Sequence, residues 1–303
     1  MSMIVNRRDV DFMFYEALGL DEMLKADRFA DYDRDSLDAM FDLCQSIAEE
    51  EFLPCAGKLD ANAPQFVNGE VETIPEVKQA ISAFKQAGLC ASGYDADIGG
   101  MQLPWMVDQA LNGMFVCANN PIHIYLFLTQ GVANMLNVCG SAELKNKYLS
   151  PLVEGDWFGT MCLSEPQAGS SLADITTKAE PQGDGSYKIS GTKMWISGGE
   201  QDLSDNIIHM VLAKVPGGPA GVKGISLFLV PKIRVNDDGS LAERNNVALA
   251  GLNHKMGCRG ATNTLLNFGE VGDCICYLVC NENEGLANMF HMMNEACISV
   301  GMS

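Results

Sequence analysis

Apolar residues recur at helical spacing through the first half of this chain and at strand spacing through most of the second. Leu37, Met40, Phe41, Cys44 and Ile47 follow the 3.6-residue period, with Ser36 placed to cap the helix they predict and Pro54 placed to end it. A second helix is expected from Pro75 through Val77, Ala80, Ile81 and Phe84 to Gly88, with proline in its first turn and glycine after its last. Residues 103–119 and 122–138 predict two more, the latter apolar nearly all round and therefore central in a core. From Trp157 the texture changes. Residues 157–163, 187–190, 193–197, 206–214, 224–230 and 262–268 read as strands, and Asp-Gly pairs at 184–185 and 238–239 supply the positive φ that tight hairpins need. So many strands without intervening amphipathic helices imply an antiparallel barrel or sandwich rather than a parallel doubly wound sheet. The helical period returns after Gly285 in Leu286, Met289, Phe290, Met293 and Cys297.

The expected organisation is an α+β multidomain chain with a helical domain over residues 1–155, a β domain over 156–284, and a further helix over 285–303. At 303 residues and 47% hydrophobic content it can bury the cores of two domains. Residues 121–139 are the longest apolar tract, but His123, Gln130, Asn134 and Asn137 would be costly at a bilayer centre, so a buried helix is expected there and no membrane partner. The first eleven residues carry Arg7, Arg8, Asp9 and Asp11 without an apolar stretch, which predicts no secretory signal and a cytoplasmic location. Eleven cysteines without framework spacing read as buried free thiols of a reducing compartment. A formal net charge of -19 argues against nucleic acid and anionic membranes as partners. A polyanionic ligand would have to be held by local donors, helix N-termini and a few cations.

No Gly-x-Gly-x-x-Gly opens a βαβ unit and there is no P-loop, which removes the common sequence routes to nucleotide binding. A split pair of segments remains. Met161-Cys162-Leu163-Ser164-Glu165-Pro166-Gln167-Ala168-Gly169-Ser170 ends a strand in a turn of small residues, where backbone can approach a ligand. Gly191-Thr192-Lys193-Met194-Trp195-Ile196-Ser197 adds a large aromatic face and a second hydroxyl. Together they offer what a planar heteroaromatic ring needs, a surface to stack on and donors toward its heteroatoms. Glu165 adjoins Ser164, so alternation along the strand points the two side chains to opposite faces and argues against Glu165 as a base.

These two segments, followed by Lys255-Met256-Gly257-x-Arg259-Gly260, resemble the acyl-CoA dehydrogenase family over essentially the whole chain. Residues 206–213, 223–232, 254–257 and 292–294 are similar, more narrowly, to its 3-methylmercaptopropionyl-CoA dehydrogenase-like branch. The resemblance implies an all-α N-terminal domain, an antiparallel β-barrel middle domain and a C-terminal helical bundle that starts near residue 285. It implies FAD as cofactor and a homodimer or homotetramer. The reaction implied is α,β-desaturation of an acyl-CoA thioester: a carboxylate takes the α-proton, the β-hydride goes to flavin N5, and an electron-transfer flavoprotein receives the electrons. By the same resemblance Met161, Leu163, Ser164, Gly169, Trp195, Ile196 and Ser197 form the cofactor wall, and Ser170 is the residue expected to touch the acyl-CoA. The base is expected beyond Ser303, which leaves this chain with no catalytic residue of its own and marks it as C-terminally truncated. Two alternatives stay open: a non-catalytic flavin or CoA-ester binder, and an acyl-CoA oxidase that reduces oxygen.

Some positions depart from the family pattern. Ser171 stands where aspartate is usual and Cys297 where the branch has arginine. Cys274, Cys276 and Cys280 lack the paired Cys-x-x-Cys units of a strong zinc site, so no metal is expected. Lys255 and Arg259 are candidate phosphate contacts or interface residues.

Overall fold

The computed structural model describes residues 2–302. Helix α1 spans Arg34–Ile47 and buries Leu37, Phe41 and Cys44, as its period requires. Its cap is Asp33 rather than Ser36: Asp33 Oδ1 accepts from the Ser36 backbone N–H at 2.8 Å, and Ser36 Oγ accepts from the Asp33 N–H at 2.9 Å. The reciprocal bonds of a capping box are thus made with the acid at the cap position and Ser36 in the first turn. Pro54 does not end the helical run. The chain widens into a π turn over Ala48–Phe52, tightens into a 3₁₀ turn over Leu53–Cys55 that takes Pro54 near its start, and resumes over Ala56–Ala61.

A short hairpin of β1 (Gln65–Val67) and β2 (Glu70–Glu72) follows, with no counterpart in the expected elements, and then α2 (Pro75–Gln86). The two helices expected over 103–119 and 122–138 are one, α3 (Trp105–Cys139), bent at Asn119, whose φ of -161° and ψ of 81° precede Pro121. The proline removes a helical hydrogen bond, and the Asn119 side chain anchors the bend by donating to the Phe52 carbonyl at 3.1 Å. The apolar second half of α3 is the core of the molecule, with Val132, Ala133, Met135 and Leu136 fully buried. Helix α4 (Ala142–Val153) leads into the β region.

That region contains β3 (Trp157–Cys162), β4 (Lys178–Pro181), β5 (Tyr187–Ser197), β6 (Asn206–Lys214), β7 (Ile225–Pro231), β8 (Ile233–Val235), β9 (Leu241–Arg244), β10 (Val247–Leu252), β11 (Asn263–Phe268) and β12 (Ile275–Val279). The main sheet runs β10-β11-β5-β12-β7-β6-β3, with β4 bridging β5 and β6. Its pairs are antiparallel as expected, with two exceptions: β3 runs parallel to β6 over six residues, and β4 touches β6 in parallel. Strand β6 is buried from Asn206 to Ala213, so it reads as a continuous apolar run rather than an alternating one. The segments expected as separate strands at 187–190 and 193–197 are the single strand β5. It passes through Gly191, where a Cβ would come within 2.4 Å of Thr177 Oγ1.

Helix α3 lies on β3. Gly159 allows this, because a Cβ there would meet Val132 at 2.6 Å, and its N–H donates to Thr129 Oγ1 at 3.0 Å. Helix α5 (Gly285–Met302) closes over α3 and β7, with Met289 and Met292 buried. All eleven cysteines are free thiols, but the expectation that they are buried holds for six; Cys117, Cys258 and Cys297 are exposed, and Cys139 and Cys280 are half-buried. Cys274 and Cys276 sit in the apolar interior of the sheet, while Cys280 Sγ donates to the Cys139 carbonyl at 2.9 Å, so the three do not converge.

Candidate functional site

The two segments singled out in the sequence are bonded to each other. After β3, Glu165-Pro166-Gln167-Ala168 forms a tight turn, with the Glu165 N–H and carbonyl both bonded to Ala168 at 2.8 and 3.0 Å. Proline at the second position suits such a turn. Across from it, the Met194 N–H donates to the Ser164 carbonyl at 3.0 Å. Lys193, 0% exposed, donates through Nζ to the Leu163 carbonyl at 2.9 Å and to Glu165 Oε1 at 3.0 Å. The Glu165 carboxylate also accepts from the Thr176 N–H and hydroxyl, the Thr177 N–H and Gln167 Nε2, all between 2.7 and 3.0 Å. Burial pushes this carboxyl up, but the Lys193 ammonium and the hydrogen bonds from Thr177 and Thr176 outweigh it and hold it at about 2. Glu165 is therefore an ionised structural group.

Trp195 stands at a bulge. Thr264 and Leu266 of β11 pair with Ile196 and Lys193 of β5, which leaves Met194 and Trp195 opposite the single residue Leu265. Trp195 takes φ of +66°, a left-handed conformation that costs a bulky residue energy, and the residue is 56% exposed. A strained backbone holding an indole out into solvent is what a bulge does when it re-aims a side chain at a site.

The remaining residues of the expected wall divide by burial. Met161, Leu163, Ser164 and Ser197 are half-buried, and Gly169 and Ser170 are exposed. The Ser197 hydroxyl accepts from Asn263 Nδ2 at 3.5 Å, and a Cβ at Gly169 would meet nothing within 4 Å. The Ile196 side chain is buried in the sheet core and its carbonyl accepts from Thr264 Oγ1 at 3.0 Å, so it supports the wall from behind. Ser171 bonds the Asp174 carboxylate at 2.7 Å, local to its own turn.

A second feature was not foreseen. Between α3 and α5 lies a cavity of about 50 Å³, lined among others by Tyr94, Asp108, Gln130, Gly131, Met292 and Glu295. Where one water needs about 10–15 Å³, that is room for a few heavy atoms. Phe127 and Met292, which line it, belong to the same large apolar cluster as Met161 and Leu163 of the expected wall. Two carboxylates reach it. Burial raises Asp108, against hydrogen bonds from Ser92, Gln109 and Asn112, and those three donors occupy it. Burial also raises Glu295, which has one side-chain donor, Asn134 Nδ2 at 3.0 Å on Oε2.

Sequence reasoning missed Lys193 as the partner of Glu165 and missed both cavity acids. The signals were present. Lys193 occupies the buried phase of a strand and Asp108 a core position of an apolar helix, where a charged residue is rarely found without a partner. Glu295 is one acid in a helix otherwise rich in methionine and aliphatics.

Residues 34–156 match the acyl-CoA dehydrogenase N-terminal domain and residues 160–271 the acyl-CoA dehydrogenase middle domain. The chain is 40% identical over 243 residues to a 3-methylmercaptopropionyl-CoA dehydrogenase of Ruegeria pomeroyi, an alignment that covers 80% of this chain and 41% of that protein. It is 34% identical over 304 residues to a butyryl-CoA dehydrogenase of Syntrophomonas wolfei, covering 97% and 50%. It thus spans half or less of the length of these curated relatives. Among solved structures it is similar in fold to butyryl-CoA dehydrogenase from Megasphaera elsdenii, with a TM-score of 0.70, 21% identity, and 89% of this chain and 65% of that one covered. An acyl-CoA dehydrogenase from Bacillus anthracis solved with FAD gives a TM-score of 0.71 at 20% identity, covering 90% and 42%.

Proposed function

Because the chain belongs to the acyl-CoA dehydrogenase family, we propose that it carries the FAD wall and part of the acyl pocket of an enzyme that desaturates a short acyl-CoA thioester. The observation that carries this reading is the exposed Trp195 ring, held at a strained bulge beside the half-buried Ser164 and Ser197. When bound, FAD supplies the two-electron acceptor for oxidation of a CH–CH bond. Trp195 offers the planar face, Ser164 and Ser197 offer hydroxyls, and the open backbone at Gly169 and Ser170 leaves room for a CoA arm. The Lys193–Glu165 pair holds the two segments in register so that these groups meet one ligand. The small cavity between α3 and α5 fits a short acyl group.

The resemblance puts the base beyond Ser303. Within the chain itself, the carboxylate that reaches the cavity with a raised pKa and one oxygen lacking a hydrogen-bond partner among the described residues is Glu295. We assign it the role of holding or taking a proton at Oε1. Such a base works only when deprotonated, so the rate would rise with pH through its raised pKa.

The test is anaerobic addition of butyryl-CoA and of 3-methylmercaptopropionyl-CoA to the purified, flavin-loaded protein. Bleaching of the flavin band with formation of the enoyl-CoA is expected. Colour that persists with both thioesters would reduce the reading to a flavin binder, and peroxide formed in air at the rate of turnover would make it an oxidase. Glu295→Gln should slow bleaching by about 100-fold or more; an unchanged rate would return the base to another residue.

A further inference from the structure

Two of the eleven cysteines, 141 residues apart, meet where three elements join. Cys139 is the last residue of α3, and Cys280 is the first residue after β12, in the short turn that leads into α5. The carbonyl at the end of a helix has no donor within that helix. Here the Cys280 thiol supplies one, with Sγ 2.9 Å from the Cys139 oxygen. The Cys139 Sγ in turn lies 4.0 Å from Asn288 Oδ1 of α5.

The turn between β12 and α5 is tightly wound. Cys280 and Asn283 take φ of +62° and +69°, left-handed conformations that a residue with a Cβ adopts at a cost. Its far end is pinned to β7: the Asn283 N–H donates to Ser226 Oγ at 2.8 Å, and a Cβ at Gly285 would come within 2.3 Å of the Ser226 carbonyl carbon. At its near end the Cys280 thiol makes the contact to α3.

Exposure decides between two packing residues and a reactive pair. A cysteine used as a small apolar filler is out of reach, as Cys274 and Cys276 are at 1% and 0% exposed. Cys139 and Cys280 are half-buried, so a small reagent can meet them while the protein is folded. Burial first, then the hydrogen bond and charge of the Cys139 thiol and the charge of Glu284, push Cys280 up to about 11, with Lys145 of α4 opposing them. At neutral pH the pair therefore rests as thiols and responds slowly.

We propose that Cys139 and Cys280 form a redox clip, in which a disulfide between them ties the start of α5 to the end of α3. The oxidant is a low-molecular-weight disulfide of the glutathione class. One protein thiolate attacks a sulfur of that disulfide and displaces one small thiolate; the other protein thiolate attacks the mixed disulfide so formed and displaces the second. Two protein thiols lose two electrons and two protons, and the small disulfide gains both to become two thiols. A bond between residues 141 apart removes freedom from the unfolded chain, so the oxidised form is the more stable. Because α5 packs on α3 and lines the cavity between them, the same bond holds that wall in place. The clip stands whether or not the function proposed above does.

The test is oxidation of the full chain with excess oxidised glutathione at about pH 8.5, followed by alkylation of the remaining thiols and a non-reducing peptide map. A peptide joining Cys139 to Cys280 is expected, with Tm raised by about 3–8 °C over the reduced protein and slower amide exchange in α5. Dithiothreitol should reverse all three. The bridge should form faster as pH rises, by about tenfold per pH unit near neutrality, because the thiolate is the attacking species. Cys280→Ser keeps a donor for the Cys139 carbonyl, so it should fold yet lose both the linked peptide and the Tm shift. Should it fail to fold, Cys139→Ser decides in the same way, while Cys297→Ser should leave the bridge intact. Glutathione left on either cysteine without a bridge would overturn the proposal. So would links scattered among the exposed Cys117, Cys258 and Cys297, or a bridge that leaves Tm and the exchange of α5 unchanged.

Discussion

Glu165 and Glu295 are both drawn into the protein, and they have been handled in opposite ways. Glu165 receives five hydrogen bonds, one of them from a fully buried ammonium, and its carboxyl is held down at about 2. Glu295 receives one bond from a neutral amide and borders a cavity, and burial raises it. The same side chain is scaffold where its oxygens are saturated and, under the function proposed above, reagent where they are not. Desolvation acts on both, and the number and charge of the donors decide its outcome.

The largest way to break the comparison is to strip Glu165 of its cation. Lys193→Met leaves a buried carboxylate without a counter-charge, which should cost about 3–5 kcal/mol of unfolding free energy in a denaturant titration. Removing both charges, in Glu165→Gln with Lys193→Met, should cost less than the sum of the single changes, because neither buried charge is then left alone. A strictly additive double variant would show that the pair is not a coupled unit.

Acid should separate the two carboxyls next. Glu165 is depressed in the folded protein, so its stabilisation is complete above its ordinary pKa and is lost as pH falls from about 4.5 toward 2. The shift corresponds to roughly 3 kcal/mol. Glu295 is raised, so its contribution runs the other way, present at low pH and lost as pH rises through its folded value. Thermal unfolding between pH 3 and pH 8 should therefore lose much of its acid limb in Glu165→Gln and not in Glu295→Gln. Parallel pH profiles for wild type and Glu165→Gln would refute the assignment.

What the sequence made legible follows the same division. Periodicity placed β6 at its observed limits and the core face of α1, because burial of one face leaves a mark on spacing alone. It split α3 at Pro121 and β5 at Gly191, since a kink and a close approach to Thr177 look like boundaries when the neighbouring elements are unknown. It missed the parallel pairing of β3 with β6, which depends on which strand arrives alongside and not on either strand's pattern. The motif residues named the proposed wall through Trp195, Ser164 and Ser197, yet the pair that ties its two segments together is 28 residues apart in sequence and gave no local signal beyond a lysine in an apolar phase. The cavity acids come from different helices, and only packing brings α3 and α5 together.

Trp195 tests whether the wall is a site rather than scaffold. Trp195→Gly removes an exposed ring and relieves a left-handed φ, so the flavin-free protein should be unchanged or more stable by up to about 1 kcal/mol. Flavin affinity should fall at least tenfold, read by fluorescence as FAD is titrated in. A variant that loses stability but keeps its flavin would make the indole a packing residue.

The smallest expected effect lies at the cavity and sharpens its side of the comparison. A Cβ added at Gly131, which lines the cavity, would come within 3.0 Å of Met292 Cγ, tight enough that the methionine must shift. Alanine gains about 1 kcal/mol of helix propensity over glycine, and displacing a flexible methionine costs a similar amount, so stability should change little. The space between α3 and α5 shrinks nonetheless. Gly131→Ala should bind butyryl-CoA and hexanoyl-CoA less well relative to propionyl-CoA than the wild type does, by a factor of about 3–10, since a methylene in an apolar pocket is worth 1–3 kcal/mol. Measured as the ratio of dissociation constants, this readout cancels any uniform loss from altered folding. An unchanged ratio would mean that the acyl group lies elsewhere, and that Glu295 is a half-buried acid with no substrate to act on.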